Sequence, residues 1–113
     1  MKRTLEMIIL PNPRKKKEFT QTLESLSMNL ERSCSSLTIE ESEEPPTTTM
    51  VIKWESEDQM QQTLKSEEFV ILSGAIFSLC KIDFIRLDDK PLNKNISKLN
   101  TLSIKKILEN HLN

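Results

Sequence analysis

The feature that most restricts the fold is a strand that leads directly into a capped helix in the middle of the chain. Apolar and polar residues alternate over residues 47–55, which is the period of a half-buried strand. The apolar side of this strand carries Met50, Ile52 and Trp54. Ser56 and Gln59 then match the capping-box spacing, in which a hydroxyl and a side-chain amide pair with free backbone N–H groups. The sequence therefore predicts a strand and a helix in immediate succession.

A second helix start follows ten residues later, at Ser66. Before it, Met60 and Leu64 share one helix face, and after it apolar residues recur at helical spacing. These later residues are Phe69, Leu72, Ile76 and Leu79. The helical region is therefore predicted to be buried on one side. Its Gly74, the only glycine of the chain, indicates either close helix packing or room for a cavity.

The flanking sequence supplies another helix and three more strands. Asn12 and Pro13 match the N-cap and first helical positions, and the apolar residues that follow form one stripe. This stripe consists of Phe19, Leu23, Leu26 and Leu30. Pro45 and Pro46 separate two strands, because proline cannot donate to a sheet ladder. The predicted elements are a strand at 2–10, a helix at 13–32, strands at 34–44 and 47–55, a helical region at 56–79 and a strand at 81–87.

The order βαββαβ predicts an α+β, ferredoxin-like fold with both helices on one face of an antiparallel sheet. The strands, however, carry apolar residues on both faces. In the first strand Leu5, Met7 and Ile9 oppose Ile8 and Leu10. In the last strand the alternation places Ile82 and Phe84 on one face and Ile85 and Leu87 on the other. Helices cover only one face, so the sheet requires a partner, most simply a second copy of the chain.

The end of the chain is predicted to be an appendage of this fold. Residues 88–101 are polar and weakly patterned, which indicates a loop or arm, and residues 102–112 carry apolar side chains at helical spacing. These are Ile104, Ile107, Leu108 and Leu112. We therefore expect one domain over residues 1–87, followed by a C-terminal arm and short helix over residues 88–113 that pack on the same domain or on a partner subunit.

Composition excludes several classes of function. The 113 residues include 16 Lys and Arg against 17 Asp and Glu, so the chain offers no general electrostatic attraction for nucleic acid. The apolar run near the N-terminus is too short for a signal peptide or a membrane span. Cys34 and Cys80 form no CxxC pair, which favours free thiols in a reducing cytoplasm. We expect a cytoplasmic protein that binds neither nucleic acid nor membrane.

The strand, the two helix starts and the helix phenylalanine together spell WxSxxxxxxxLxSxxF, carried by Trp54, Ser56, Leu64, Ser66 and Phe69. With the preceding β-α-β-β half, this pattern resembles the antibiotic biosynthesis monooxygenase-like, dimeric α+β barrel superfamily over about residues 1–87. The resemblance implies homodimers whose sheets pack face to face and a ligand cavity between sheet and helices. Members include cofactor-independent monooxygenases that oxidise polycyclic phenols to quinones, and haem-degrading monooxygenases.

The resemblance argues against haem. Haem-degrading members carry asparagine, tryptophan and histidine at three positions where this chain has Met7, Thr63 and Ser73. Without an imidazole at the last position there is no iron ligand. The only histidine, His111, is interpreted as a solvated residue at a helix end. No metal or other cofactor is therefore predicted.

Two functional hypotheses follow. The first is a cofactor-independent oxidoreductase that acts on a small apolar aromatic substrate, of the quinol or polycyclic phenol type. The alternative is a non-catalytic ligand-binding or interaction module on the same dimeric scaffold. The candidate pocket residues are Trp54, Thr63, Ser66, Phe69 and Ser73, whereas no catalytic residue is assigned. Convergent polar groups in a cavity beside Trp54 would indicate an enzyme, and a purely apolar lining would indicate a binding module.

Overall fold

A computed structural model describes residues 2–88 and 90–92 of the chain. Its elements are β1 (Arg3–Pro11), α1 (Lys16–Arg32), β2 (Ser36–Glu43), β3 (Pro46–Trp54), α2 (Glu57–Lys65), α3 (Glu67–Leu79), β4 (Cys80–Leu87) and β5 (Lys90–Pro91). The strands form one antiparallel sheet in the order β2-β3-β1-β4-β5. The predicted α+β, ferredoxin-like fold is confirmed, with the helical region divided at Ser66 as its second start indicated.

The core lies between the helices and one face of the sheet. The alternating residues of β1 that point toward the helices are fully buried, as are their partners across the β1–β3 pair. These side chains are Leu5, Met7, Ile9, Met50 and Ile52. The predicted stripe of α1 and the apolar face of α3 complete the same cluster. None of the helices among the described residues is long and apolar enough to cross a membrane.

The start of α1 differs from the prediction by three residues. The Asn12 side chain does accept a hydrogen bond, from the Arg14 N–H at 3.0 Å, but it closes a turn rather than the helix. The Lys15 N–H then donates a hydrogen bond to the Asn12 carbonyl at 2.8 Å, which closes a turn over residues 12–15. Regular helical bonding begins with the Phe19 N–H and the Lys15 carbonyl, at 3.0 Å. The Asn-Pro signal therefore initiates a turn that precedes the helix.

The alternation predicted for β4 is wrong at one position. Ile8 pairs with Phe84 but the next residue, Ile9, pairs with Ile82, so the register shifts and Asp83 occupies a bulge. The bulge places Ile82 on the helix face with Ile85, and Ile82 packs against the core there. Phe84 stays on the outer face. A bulge depends on the partner strand, which single-sequence alternation does not reveal.

The segment after β4 is partly a strand rather than a loop. Asp88 adopts a left-handed conformation with φ of 55°, which aspartate tolerates better than most residues, and the chain reverses to form β5 beside β4. Leu92 follows, with its N–H bonded to the Ile85 carbonyl at 2.8 Å and its side chain buried in the core. The helix predicted at 102–112, and His111 within it, lie outside the described residues.

Phe69 provides a direct test of the helix face. Its side chain is fully buried between α3 and the sheet, so Phe69→Ala should lower the free energy of unfolding by about 3–5 kcal/mol. Met28 is 64% exposed on α1, and Met28→Ala should stay within about 0.5 kcal/mol of wild type. Urea unfolding followed by Trp54 fluorescence measures both. Similar effects of the two substitutions would mean that the assigned face of α3 is incorrect.

Candidate functional site

The candidate site is built around the junction where β3 passes into α2. The Ser56 hydroxyl accepts the Gln59 N–H at 3.1 Å, as the predicted capping box requires. In a capping box the Gln59 side chain would accept the Ser56 N–H. Here it accepts the N–H of the preceding residue, Glu55, at 2.8 Å. These bonds fix the angle at which the chain leaves Trp54, and so they position the helices that follow.

Ser66 fixes the second bend, between α2 and α3. Its backbone N–H and its hydroxyl both donate to the Thr63 carbonyl, at 3.0 and 2.6 Å, which closes the end of α2. The same hydroxyl oxygen accepts the Phe69 N–H at 3.2 Å and so caps the start of α3. Ser66 is therefore a structural residue that sets the angle between two helices and directs Phe69 into the core.

A buried hydrogen-bond network connects Trp54 to α1. The indole N–H donates to the Thr63 hydroxyl oxygen at 2.9 Å. The Thr63 hydroxyl lies 2.7 Å from the Ser33 carbonyl oxygen, to which it donates, and 3.0 Å from the Ser33 hydroxyl oxygen. The Ser33 hydroxyl in turn donates to the Leu30 carbonyl at 2.9 Å. Thr63 thus joins the end of β3, the last turn of α2 and the C-terminus of α1.

The network occupies the polar groups that a ligand would use. Trp54 is only 1% exposed, and its single donor is already paired with Thr63. A threonine hydroxyl has one hydrogen to donate, and Thr63 directs that hydrogen toward Ser33. A ligand that needs either group must displace an internal hydrogen bond. In this conformation the two side chains therefore present apolar surface and no free donor.

The structure brings the five predicted pocket residues into one region. Hydrogen bonds link Trp54, Thr63, Ser66 and Phe69 in sequence around the junction. Ser73 lies one helical turn after Phe69 on the same buried side of α3. Ser33 was missed by the sequence prediction. Its position just after α1 gives no signal that it meets Thr63, which is thirty residues away along the chain.

Gly74 does not open space toward the sheet. It lies on the exposed side of α3, where an added Cβ atom would meet nothing within 4 Å. The interpretation of Gly74 as room for a cavity beside Phe69 is therefore wrong. Neither Trp54 nor Phe69 borders the surface pockets beside Leu79, beside Leu23 or beside Glu6.

The two cysteines are free thiols with raised pKa values. Burial raises the pKa of Cys34, and burial raises the pKa of Cys80 to about 12. A thiol with such a pKa is protonated at neutral pH and is a poor nucleophile or metal ligand. Within residues 2–88 and 90–92, no three His, Cys, Asp or Glu side chains are grouped so that they could hold a metal ion. The thiols therefore act as small packing groups.

Comparison with protein-family models and with curated protein sequences finds no match. Solved structures do match. Rv0793 from Mycobacterium tuberculosis has a TM-score of 0.69 at 11% identity, covering 77% of this chain and 92% of that protein. A structure named antibiotic biosynthesis monooxygenase has a TM-score of 0.67 at 14% identity, covering 79% and 97%. A variant of SnoaB, a cofactor-independent oxygenase from Streptomyces nogalater, has a TM-score of 0.63 at 15% identity, covering 76% and 89%.

These likenesses define the class of fold. The matched structures are covered almost over their whole length, so the shared part is the complete βαββαβ unit. The chain has the fold of solved structures named antibiotic biosynthesis monooxygenase, so the resemblance inferred from the Trp-to-Phe motif is confirmed at the level of the fold.

The hydroxyl of Thr63 can be tested separately from its volume. Thr63→Val should cost about 1–3 kcal/mol of unfolding free energy, because it leaves the buried indole N–H without a partner and removes the hydrogen bond to the partly buried Ser33 carbonyl. Thr63→Ser keeps the hydroxyl and removes one methyl group, so its cost should stay near 0.8 kcal/mol, roughly that of one buried methylene. Chemical denaturation measures both. A valine variant as stable as the serine variant would show that the network contributes nothing to stability.

Proposed function

We propose that this protein is a cofactor-independent monooxygenase-like enzyme that acts on a small apolar aromatic substrate of the quinol or polycyclic phenol type. The observation that supports the proposal most is the fold shared with SnoaB and with a structure named antibiotic biosynthesis monooxygenase. The substrate would bind between the helices and the sheet, against Trp54 and Phe69. Thr63, Ser66 and Ser73 would be the polar groups nearest to it.

The proposed reaction needs no external reductant. A methylene carbon flanked by aromatic rings, as in an anthrone, loses two hydrogens and gains one oxygen atom from O2, and the second oxygen atom leaves as water. All four electrons that reduce O2 come from the substrate. The protein then has to supply a dry pocket, orientation of the ring and a route for the proton removed from carbon. The buried aromatic side chains at the β3–α2 junction are suited to the first two tasks.

We further propose that the functional unit is a homodimer formed through the outer face of the sheet. The apolar side chains on this face are only partly buried and cluster at its centre: Ile8, Leu10, Val51 and Phe84. Beside them Arg86 pairs with Glu6 at 2.8 Å and lies over the Phe84 ring, 5.8 Å from its centroid. An apolar centre with a paired polar margin is the composition of a protein interface.

We also propose that the protein is cytoplasmic. The support for this location is the pair of thiols, Cys34 and Cys80, which are both free in the structure. Free thiols persist in reducing compartments.

A non-catalytic binding or interaction module on the same scaffold is the second candidate. The observation that favours it is the internal pairing of the Trp54 and Thr63 polar groups, which leaves neither of them free to bind or deprotonate a substrate. Such a module would bind a planar apolar ligand by shape and burial alone. The two candidates therefore differ in turnover and not in the class of ligand.

The dimer can be tested by mass. Light scattering at micromolar concentration should give twice the monomer mass of 13.1 kDa, with an interface of roughly 2,000 Å² or more in total. Ile8 lies on the central strand, opposite Thr49 and Phe84, so Ile8→Lys should yield a folded monomer because it places a charge in the middle of the interface. Met28→Glu, on the exposed side of α1, should remain dimeric. A wild-type monomer would contradict the proposal.

Ligand binding and turnover can be separated in one titration. Anthrone-like and quinone compounds should quench the fluorescence of Trp54, the only tryptophan, saturably, because a planar ring would stack near the indole. The enzyme hypothesis further predicts O2 consumption equal to the anthrone oxidised, without added metal, flavin or haem. Added haemin should show no Soret shift typical of histidine ligation.

The controls separate the outcomes. Phe69→Leu should weaken quenching if the ring binds beside that side chain, while Met28→Glu should leave it unchanged. Saturable quenching without O2 consumption would favour the binding module. Quenching that never saturates would contradict both candidates.

A further inference from the structure

The surface pocket beside Leu79, here called the Leu79 pocket, lies where two connections of the fold meet. One is the passage from β1 into the turn before α1, and the other is the passage from α3 into β4. The Asn12 N–H donates to the Leu79 carbonyl at 2.9 Å, and Pro11 pairs with Cys80 across the β1–β4 ladder. The pocket has a volume of about 420 Å³, and small-molecule sites usually measure about 300–1,000 Å³.

The Leu79 pocket lies far from the candidate site at the β3–α2 junction. Trp54 pairs with Arg3 at the start of β1, whereas the pocket is lined by Leu10, seven residues further along the same strand. At about 3.3 Å per residue, the strand separates the two places by roughly 23 Å. None of the five candidate-site residues lines the pocket. A ligand of the Leu79 pocket is therefore independent of the proposed function.

Most of the lining is apolar. These residues are Leu10, Pro11, Pro13, Leu79 and Cys80. Leu10, Leu79 and Cys80 are only partly buried, so part of their apolar surface stays in contact with water. Burial raises the pKa of the Cys80 thiol to about 12, so this side chain adds no charge at neutral pH. Covering the exposed apolar surface with a ligand ring would be favourable.

The polar lining offers hydrogen-bond donors. It consists of Asn12, Ser78 and Lys81. The Asn12 side-chain oxygen accepts the Arg14 N–H at 3.0 Å, which orients the amide, while its NH₂ group donates to no other group within residues 2–88 and 90–92. Lys81 is exposed and carries an ammonium group, which can only donate. A ligand atom that accepts hydrogen bonds, and preferably carries negative charge, would satisfy both groups.

The chain around the pocket carries an excess of positive charge. Residues 11–18 and 78–83 hold five cationic side chains and two acidic ones, Glu18 and Asp83, although the whole chain has a net charge of −1. The cationic side chains form no ion pair in the described part of the chain. They are Arg14, Lys15, Lys16, Lys17 and Lys81. The local field therefore favours an anion over a neutral or cationic ligand.

We propose that the Leu79 pocket binds a small organic anion that consists of a carboxylate on an apolar ring. The ring would cover Leu10 and Leu79, and the carboxylate would accept hydrogen bonds from the Asn12 amide and the Lys81 ammonium group. Apolar contact and charge would both be required, because the pocket combines an apolar lining with donors on one chain segment each from β1–α1 and α3–β4.

A nuclear magnetic resonance titration of the full chain tests the proposal with three probes: naphthoate, its neutral counterpart naphthamide, and acetate. Naphthoate should shift the backbone amides of residues 78–81 and the Asn12 side-chain amide saturably, with a Kd on the order of 1 mM, as the binding energy per atom of ordinary small ligands implies. Naphthamide lacks the charge and acetate lacks the ring, so each should bind at least about fivefold more weakly. The Trp54 indole N–H resonance should stay in place.

Two substitutions test the polar groups. Asn12→Asp keeps an oxygen that accepts the Arg14 N–H, so the turn is preserved, but it replaces the donating amide with a second anion and should weaken naphthoate binding by about tenfold or more. Lys81→Gln should weaken it by about threefold to fivefold, the effect of one exposed ion pair. Lys65→Gln, a matched change of an exposed lysine at the end of α2, should leave the affinity unchanged.

Three results would overturn the proposal. Equal affinity for naphthoate and naphthamide would show that the pocket does not select an anion. Unchanged naphthoate affinity in both Asn12→Asp and Lys81→Gln would show that these groups do not hold the carboxylate. Shifts at Trp54 without shifts at residues 78–81 would place the ligand at the candidate site instead.

Discussion

The hydrogen bond that the buried Trp54 indole N–H donates to Thr63 is the interaction on which the positions of the neighbouring helices depend. Trp54 ends β3 inside the core, where a donor without a partner would carry a desolvation cost of about 1–3 kcal/mol. Thr63 meets that need from α2, and its own hydrogen is taken by the backbone of Ser33 at the end of α1. The consecutive elements β3 and α2 and the end of α1, thirty residues before Thr63, are therefore fixed relative to one another by a single hydroxyl group. The positions of Ser66 and Phe69, and with them the orientation of α3, follow from where this hydroxyl holds α2.

What could be predicted from the sequence was local. The caps at Ser56 and Ser66 depend on contacts three residues apart, and the faces of Met50, Ile52 and Trp54 depend on a two-residue period, so both were readable from one chain. The features that were missed depend on other elements. The bulge at Asp83 exists only relative to β1, and the role of Ser33 exists only relative to Thr63. The Asn12 side chain closes a turn and does not cap the helix. Asparagine satisfies both local geometries equally well, so the residue type alone could not decide between them.

The candidate site was predicted as a set of neighbours but not as a chemical arrangement. Trp54, Thr63, Ser66 and Phe69 do converge, because the strand and the two caps that the motif encodes bring them together. Whether their polar groups face a cavity or one another is decided by tertiary contacts. Trp54 and Thr63 pair with each other, and Thr63 also pairs with Ser33, so these motif residues fix the arrangement of β3, α2 and α1. This explains why a motif of this kind identifies the fold and leaves the reaction to be tested separately.

The outer face of the sheet, which is the proposed dimer interface, has a distribution of charge that suits contact between two identical surfaces. The outer sheet face has an apolar centre beside which Glu6 and Arg86 neutralise each other within one protomer, so a second copy can cover this pair without leaving either of its two charges unpaired. The pairing of these two charges within one protomer therefore suits the outer sheet face to contact with a second copy.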